Sequence, residues 1–331
     1  MVGKSSCCYC VSGKKSRLTR EEETVLPKTP AISVVMSVCN GSAYLPQAVE
    51  SILAQSWCDF EFIIIDDGST DGTLDILRTY ESKDTRIHVV SRENTGLTRA
   101  LNEGISRARG QFIARMDADD IAEPSRLDLQ IGYLQAQPEC VAVGCSLLLT
   151  DPDGDPLAEE ESPLTHDQIV AKLRCGIGSL PHPTAVIRRD ALNSVGGYRE
   201  SFLCAQDLDL WLRLAEVGSL ANLPQALLRY RLHPESVTSQ NRELQLASAE
   251  RAVREAYERN NEPLPIELHL PRPQISSLQR TYRSWARMAS RSGNRAVARK
   301  HAWNALCAAP FSLSNVGIAA TLLMPRLKKA G

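Results

Sequence analysis

No stretch of this 331-residue chain is long and apolar enough to cross a bilayer. The longest apolar run near the C-terminus, Val316–Met324, is about half of the roughly 20 residues a spanning helix needs. The N-terminus is basic but has no apolar core of signal-peptide length. No Gly-x-Gly-x-x-Gly follows the first apolar segment, which argues against a dinucleotide dehydrogenase. Gly13-Lys14-Lys15-Ser16 comes nearest to a P-loop, but it lacks the upstream glycine. Ten cysteines are too scattered for a disulfide framework, and the cluster of Cys7, Cys8 and Cys10 has no partners nearby to complete a zinc site. The expectation is a cytoplasmic protein, not integral to a membrane. Carboxylates are missing from one region: from Arg280 to the end there are ten Lys/Arg and no Asp or Glu. The first thirty residues carry a net +3, which leaves 31–279 at −14 although the whole chain sums to −1. An acidic body with a basic C-terminal arm implies that the arm meets something anionic, and an anionic membrane leaflet is the partner expected of 280–331.

What is present begins with ordinary globular composition, 43% hydrophobic and 23% charged. Residues 1–30 read as a disordered lead-in. Ile32–Ser37 is a β-branched run of buried-strand length, and Asn40-Gly41-Ser42 makes the turn after it. Pro46 then opens a helix with Leu45, Val49, Ile52 and Leu53 on one face. Phe60–Ile65 runs straight into Asp66-Asp67-Gly68-Ser69-Thr70-Asp71, where Ser69 or Thr70 is expected to cap a helix through Leu74 and Leu77. Ile87–Val90, a helix from Thr95 to Arg107, and Phe112–Met116 complete a β-α-β-α-β-α-β pattern. That is the pattern of a doubly wound sheet, whose ligands bind outside the carboxyl ends of the strands. The polar clusters at 37–41, 66–71 and 117–120 all fall there.

The chain is organised around Gly110–Asp120, where an apolar run ends abruptly in Asp117, Asp119 and Asp120. Three carboxylates in four positions repel one another, and a strand end tolerates them mainly where a cation sits. Residues two apart on an extended segment point the same way, so Asp117 and Asp119 can converge on one Mg²⁺ or Mn²⁺. The competing reading is a solvated acidic turn.

Ile32–Asn40, Ser51–Gln55, Phe60–Gly72, Asn94–Ile105 and Met116–Asp120 together resemble family 2 glycosyltransferases, over residues 31–240. The resemblance implies a GT-A fold, α/β with a doubly wound mixed sheet. Residues 31–123 would be the nucleotide-binding half, 124–240 the acceptor half and 241–331 a helical appendage. It also implies a nucleotide-sugar donor, a UDP-sugar first, and a divalent Mn²⁺ or Mg²⁺. By position, Ser37, Cys39 and Asn40 would lie in the first-strand loop at base and ribose. Asp67 would accept from the base, or serve only as a turn residue. Arg99 and Asn102 would lie near the nucleotide, Asp117 on the ribose or metal side, and Asp119 would be the principal metal ligand.

Further along, Pro124–Leu134 reads as a helix, Cys140–Leu149 as a strand and Asp151–Glu161 as an acidic loop. His182, between two prolines, matches the family's acceptor-lining segment, with a structural role equally open. Ala205–Leu214 is a largely buried helix. The family places a Glu-Asp pair at its start whose Asp is the base, and here Gln206-Asp207 stands, with Trp211 one turn on. Asp207 could instead cap that helix. Leu227–His233 resembles the family's Tyr-Arg-x-His element, which puts Arg231 and His233 near diphosphate and metal. From Asn241 the pattern is helical, with a Pro-rich linker at 263–273, a break at Gly293 and a boundary at Pro310. Trp285, Met288, Trp303, Leu306 and Phe311 supply the apolar faces. Two readings remain for the arm: a helical appendage packed on the body, or a membrane-surface element. The function implied is metal-dependent inverting transfer of a sugar to a hydroxyl of a glycan or lipid-linked acceptor, with no role for nucleic acid. The rivals are a non-catalytic nucleotide-sugar-binding or scaffold protein of the same fold, and a nucleotidyltransferase.

Overall fold

The structure is a computed structural model, and it describes residues 29–234, 242–265, 270 and 277–323. The readings of a lead-in with its Cys7, Cys8 and Cys10 and of most of the 263–273 linker lie outside the described residues. So do the basic residues Arg326, Lys328 and Lys329.

Four parallel strands form the first half: β1 (Ile32–Val38), β2 (Phe60–Asp67), β3 (Ile87–Arg92) and β4 (Phe112–Asp117), in the order β3-β2-β1-β4. β1 and β2 are almost wholly buried because helices cover both faces, which is why they read as unbroken apolar runs. The helices are α1 (Leu45–Leu53), α2 (Thr73–Glu81) and α3 (Leu97–Arg107). Leu45, Val49 and Ile52 of α1 are buried as their spacing requires. α3 lies close against the sheet: a Cβ on Gly104 would stand 2.5 Å from Val35 Cγ1. The order reverses between β1 and β4, and the register sets Ser37 beside both Ile65 and Asp117. The carboxyl ends of β1, β2 and β4 therefore share one edge, at the switch point where such sheets take ligands.

The second half continues the same sheet with changed direction. β8 (Val186–Arg188) runs antiparallel to β4, and β6 (Cys140–Thr150) antiparallel to β8. β9 (Ser219–Arg231) lies parallel to β6 and carries the two-residue β5 (Ile121–Ala122). The stretch expected as a loop at 151–161 is a turn followed by a strand, β7 (Pro156–Glu160), paired with the end of β6. Its only fully buried side chain is Leu157, too little alternation for the sequence to reveal a strand. α4 (Arg126–Ala136), α5 (His166–Leu173), α6 (Arg189–Ser194) and α7 (Gln206–Leu214) cover this half. The α2 cap is corrected as well. Asp71 accepts from the Thr73 amide at 3.0 Å, while Ser69 and Thr70 bond to Asn40.

C-terminal to the sheet come α8 (Arg242–Arg259), α9 (Leu278–Arg291), α10 (Arg295–Ala308) and α11 (Leu313–Leu323). Ala252 and Val253 of α8 join the core that holds Leu208 and Trp211. Trp285, Ala289, Val297 and Ala298 of α9 and α10 join the core that holds Leu149 and Leu157. Gly293, at φ +82, makes the break expected of it. Trp303 and Phe311, expected on apolar faces, are instead 56% and 97% exposed. None of the described helices is long and apolar enough to cross a membrane.

Candidate active site at the carboxyl edge of the sheet

Two acids end β2. Asp66 accepts from the Ser69 amide at 3.2 Å and the Ser91 hydroxyl at 2.8 Å. Asp67, 3% exposed, accepts from the amides of Thr95 at 3.0 Å and Gly96 at 2.8 Å, and from Arg92 Nε at 3.0 Å. It thereby fixes the entry to α3. Asn40 sits at φ +55, a conformation asparagine tolerates, and its Oδ1 accepts from the Thr70 amide at 2.8 Å. The β1 and β2 loops are thus laced together before any ligand arrives. Cys39 is exposed beside Asn94, whose Nδ2 lies 3.3 Å from its Sγ.

At the end of β4, Asp117, Asp119 and Asp120 each bring a carboxylate oxygen to within 4.8 Å of the others. Asp117 pairs with Arg115, two residues back in the strand. Asp119 Oδ2 meets His233 Nε2 at 2.9 Å. Asp120 is 1% exposed: its Oδ1 accepts from the Arg231 amide at 3.0 Å, and its Oδ2 has no partner. Burial, then the charges of Asp117 and Asp119, push its carboxyl well above the usual range. Three hard oxygens, an adjacent imidazole and an orphaned buried oxygen fit a divalent cation of the Mg²⁺ or Mn²⁺ kind. Arg231 braces this wall. Its Nε donates to the Asp119 carbonyl at 2.9 Å, one terminal nitrogen to the Pro152 carbonyl at 2.6 Å and the other to Gln47 at 3.0 Å. Its guanidinium lies 4.4 Å from the Tyr44 ring centre, and Tyr44 in turn flanks His233.

A second group lies near Arg115, within reach of its charge. His182 Nε2 is 2.6 Å from the Tyr198 hydroxyl, and the His182 ring stands edge-on to fully buried Trp211. Burial, then the Arg115 charge, pushes His182 well below its ordinary value, so the imidazole is neutral. Burial raises the Tyr198 phenol. Asp207 is raised as well: loss of solvent outweighs the hydrogen bonds from the Leu208 amide and its own, and the Asp117 charge adds to the rise. Asp207 lines a cavity of about 160 Å³ with Gly176, Leu208 and Ala249. Asp209, two residues on, has no comparable freedom: it is fully buried between Arg199 and Arg213. Ala205, just before the helix, is held at φ +52 and ψ +28, a conformation that costs a Cβ-bearing residue of order 1 kcal/mol or more.

The structure therefore brings Ser37, Asp117, Asp119, Arg231 and His233 together at one edge, and sets His182 against Tyr198 and Trp211, with Asp207 near enough to feel the Arg115 and Asp117 charges. Gln206 opens α7 next to Asp207. Two residues expected near the nucleotide have protein partners. Asn102 donates to the Tyr198 carbonyl at 2.7 Å and accepts from its amide at 3.0 Å. Arg99 pairs with Glu200 on the surface at 2.9 Å. Arg115 and Tyr198 are the residues sequence reasoning missed. A charged residue two places before the acids, inside a buried run, was the available signal.

A second acidic cluster lies near the arm. Asp151, Asp153 and Asp155 also converge within 4.8 Å, but Lys300 of α10 fills the centre, with Nζ at 2.7, 2.6 and 2.7 Å from the three. His301 Nε2 adds a contact of 2.8 Å to Asp151.

A parallel β3-β2-β1-β4 sheet extended by a mixed half, with acids at the switch point, defines a GT-A glycosyltransferase fold. The chain belongs to glycosyl transferase family 2. The family's profile matches residues 33–196. An uncharacterised glycosyltransferase of Haemophilus influenzae is 31% identical over 242 residues, 68% of this chain and 73% of the relative. The O-antigen biosynthesis glycosyltransferase WbnJ of Escherichia coli is 34% identical over 209 residues, 62% of this chain and 81% of the relative. Among solved structures, the mannosyltransferase PcManGT from Pyrobaculum calidifontis, in complex with GDP-Man and Mn²⁺, aligns with a TM-score of 0.55. It is 18% identical, over 89% of this chain and 80% of that one, which makes it a likeness of fold.

Proposed function

We propose that this glycosyltransferase is a metal-dependent, inverting hexosyltransferase. It moves a sugar from a nucleotide-sugar donor, a UDP-sugar first, to a hydroxyl of a glycan or lipid-linked acceptor in polysaccharide or lipid-linked oligosaccharide assembly. It works in the cytoplasm, with peripheral contact to the inner membrane face through 280–331. The observation that carries the reading is the pairing of a convergent group at Asp117, Asp119, Asp120 and His233 with a further carboxylate, Asp207, that lines its own cavity. Asp119, Asp117 and His233 would hold Mn²⁺ or Mg²⁺, which when bound offsets the charge that develops on the diphosphate. Ser37, Asn40 and Asp67 shape the loops that receive the nucleotide. Arg231 keeps the Asp119 backbone and the Asp120 carboxylate in place.

Asp207 takes the proton from the acceptor hydroxyl as its oxygen bonds to the anomeric carbon. The opposite bond to the diphosphate oxygen breaks, and the leaving group keeps the electron pair. One base suffices for a single displacement, and this is why the outcome is inversion. A raised carboxyl is a better base than an ordinary one near neutral pH. Neutral His182 and the Tyr198 phenol hold the wall beside it without adding a competing charge. Asp207→Asn keeps the shape and the capping capacity of the side chain. It should cut transfer roughly 10²–10⁴-fold while donor affinity stays unchanged, since general-base catalysis contributes that much. Near-normal transfer by this variant, measured with radiolabelled donor, would remove Asp207 from the mechanism.

A further inference from the structure

α11 departs from the usual pattern of a surface helix. Leu313–Leu323 contains no charged residue. A helix on a soluble body turns its apolar side inward and its polar side to water. Here the inward face holds Ala319 and Leu322, but its deepest anchor is polar. Asn315, fully buried, accepts from Arg283 at 2.7 Å and donates to the carbonyls of Ala305 at 2.7 Å and Ala309 at 2.9 Å. Apolar side chains are left outside: Leu313 is 89% exposed, Val316 46%, and Phe311 in the preceding turn 97%. Beside them an open groove of about 470 Å³ runs between α9 and α11, lined by Arg287 and Arg291 on one wall and by Ser314, Ile318 and Thr321 on the other. No carboxylate answers Arg287 or Arg291 among the described residues, and none exists from 280 onward in the sequence.

We infer that this face seats on an anionic phospholipid surface. Arg287 and Arg291 take headgroup phosphates in the groove, and Phe311 and Leu313 enter the acyl boundary. The inference deepens the membrane contact proposed above and rests on it, but not on the transfer reaction. The two halves of the patch have separate reasons. Arginine pairs hold phosphate oxygens by charge-assisted hydrogen bonds. An exposed Phe–Leu tip gains by leaving water, and together the two supply the basic and apolar elements of an interfacial helix. A second copy meeting this face with its own fits poorly, because it would set Arg287 and Arg291 against their own kind.

The test is sedimentation of the full chain with phosphatidylcholine vesicles and with phosphatidylcholine–phosphatidylglycerol vesicles, at low and high salt. Binding should require the anionic lipid and weaken with salt, since attraction is screened beyond about 8 Å at physiological ionic strength. Arg287→Gln with Arg291→Gln should lower partitioning roughly thirtyfold, as the loss of two surface arginines does. Phe311→Ser with Leu313→Ser should lower it by at least as much and leave a binding residue that is more salt-sensitive. All four side chains are exposed or line an open groove, so thermal unfolding checks that each variant stays folded. Anionic-vesicle binding that survives both double variants overturns the assignment of this face while leaving the membrane contact standing. No vesicle binding by the unaltered chain overturns both. A dimer that Phe311→Ser with Leu313→Ser dissolves would assign the face to a second copy and overturn the lipid.

Discussion

Two clusters of three aspartates, built on almost the same spacing, have been put to different ends. In Asp151, Asp153 and Asp155 the protein supplies the cation: one lysine ammonium lies within hydrogen-bond distance of all three carboxylates. In Asp117, Asp119 and Asp120 it does not. Arg115 meets the first, His233 the second, and one oxygen of the third has no partner. The charge states follow. Burial raises Asp151, but hydrogen bonds from Lys300, the Asp155 amide and His301 outweigh it and hold the carboxyl below its usual range. Asp120, with no such cation, goes the other way. A convergent acid cluster is thus no site in itself. What separates a site from a brace is whether the fold has already filled it. The two are also connected: the Pro152 carbonyl, in the lysine-held turn, accepts from the same Arg231 that braces Asp119 and Asp120.

The largest effect should separate the clusters by what they bind. Asp119→Ala should weaken Mn²⁺-dependent binding of a nucleoside diphosphate roughly 100-fold or more, by the scale on which metal sites respond to lost partners. Asp153→Ala, at a carboxylate 73% exposed, should leave it unchanged. Calorimetry with Mn²⁺ and with chelator reads both. Equal affinity under the two conditions in the unaltered protein would sink the metal reading altogether.

Lys300→Met should break the comparison in the other direction. It keeps the length of the side chain and removes the ammonium from a fully buried Asp151. Breaking a buried pair costs several kcal/mol, and Lys300 is about a third exposed, so the expected loss is about 2 kcal/mol in urea unfolding. The vacated triad should then gain stability from millimolar Ca²⁺ or Mn²⁺ that the unaltered protein does not gain there. A Lys300→Met protein as stable as its parent would make the triad a solvated loop.

Much of this was legible beforehand, and the gaps have physical causes. Buried parallel strands carry their signal in every residue, so β1 to β4 and their helices fall where the apolar runs put them. The site loops follow from topology alone. The second half was harder. β5, β7 and β8 are two to five residues long, and their pairing is set by partners far along the chain. Arg115 was passed over because a reading of apolar runs ignores a charge inside one of them. Lys300 lies 149 positions from Asp151, and no local pattern connects them. The tight hold on Asp67 is likewise made by amides 28 and 29 positions on.

The smallest effect is the sharpest test of the opposite charge logic. Asp120 has its carboxyl raised in the folded protein, so the folded state holds that proton more tightly than the unfolded chain does. Stability therefore falls as pH rises from the ordinary carboxylate range through the raised value, the reverse of a carboxylate paired like Asp151. Asp120→Asn keeps an oxygen to accept from the Arg231 amide and removes the like charge facing Asp117 and Asp119. Without metal it should be more stable than its parent by on the order of 1 kcal/mol near neutral pH, and the difference should shrink toward zero as pH falls into the ordinary carboxylate range. Asp151→Asn should be less stable near neutral pH, with its deficit also shrinking on acidification as the parent's own carboxylate protonates. Added Mn²⁺ should reverse the order for Asp120 alone, because a ligand that binds only the folded state stabilises whichever protein binds it better. Urea unfolding of the three proteins across acid to neutral pH, with and without Mn²⁺, reads every term. If Asp120→Asn is destabilising at neutral pH in the absence of metal, then Asp120 carries no charge penalty in the fold, and the contrast between the two clusters is lost.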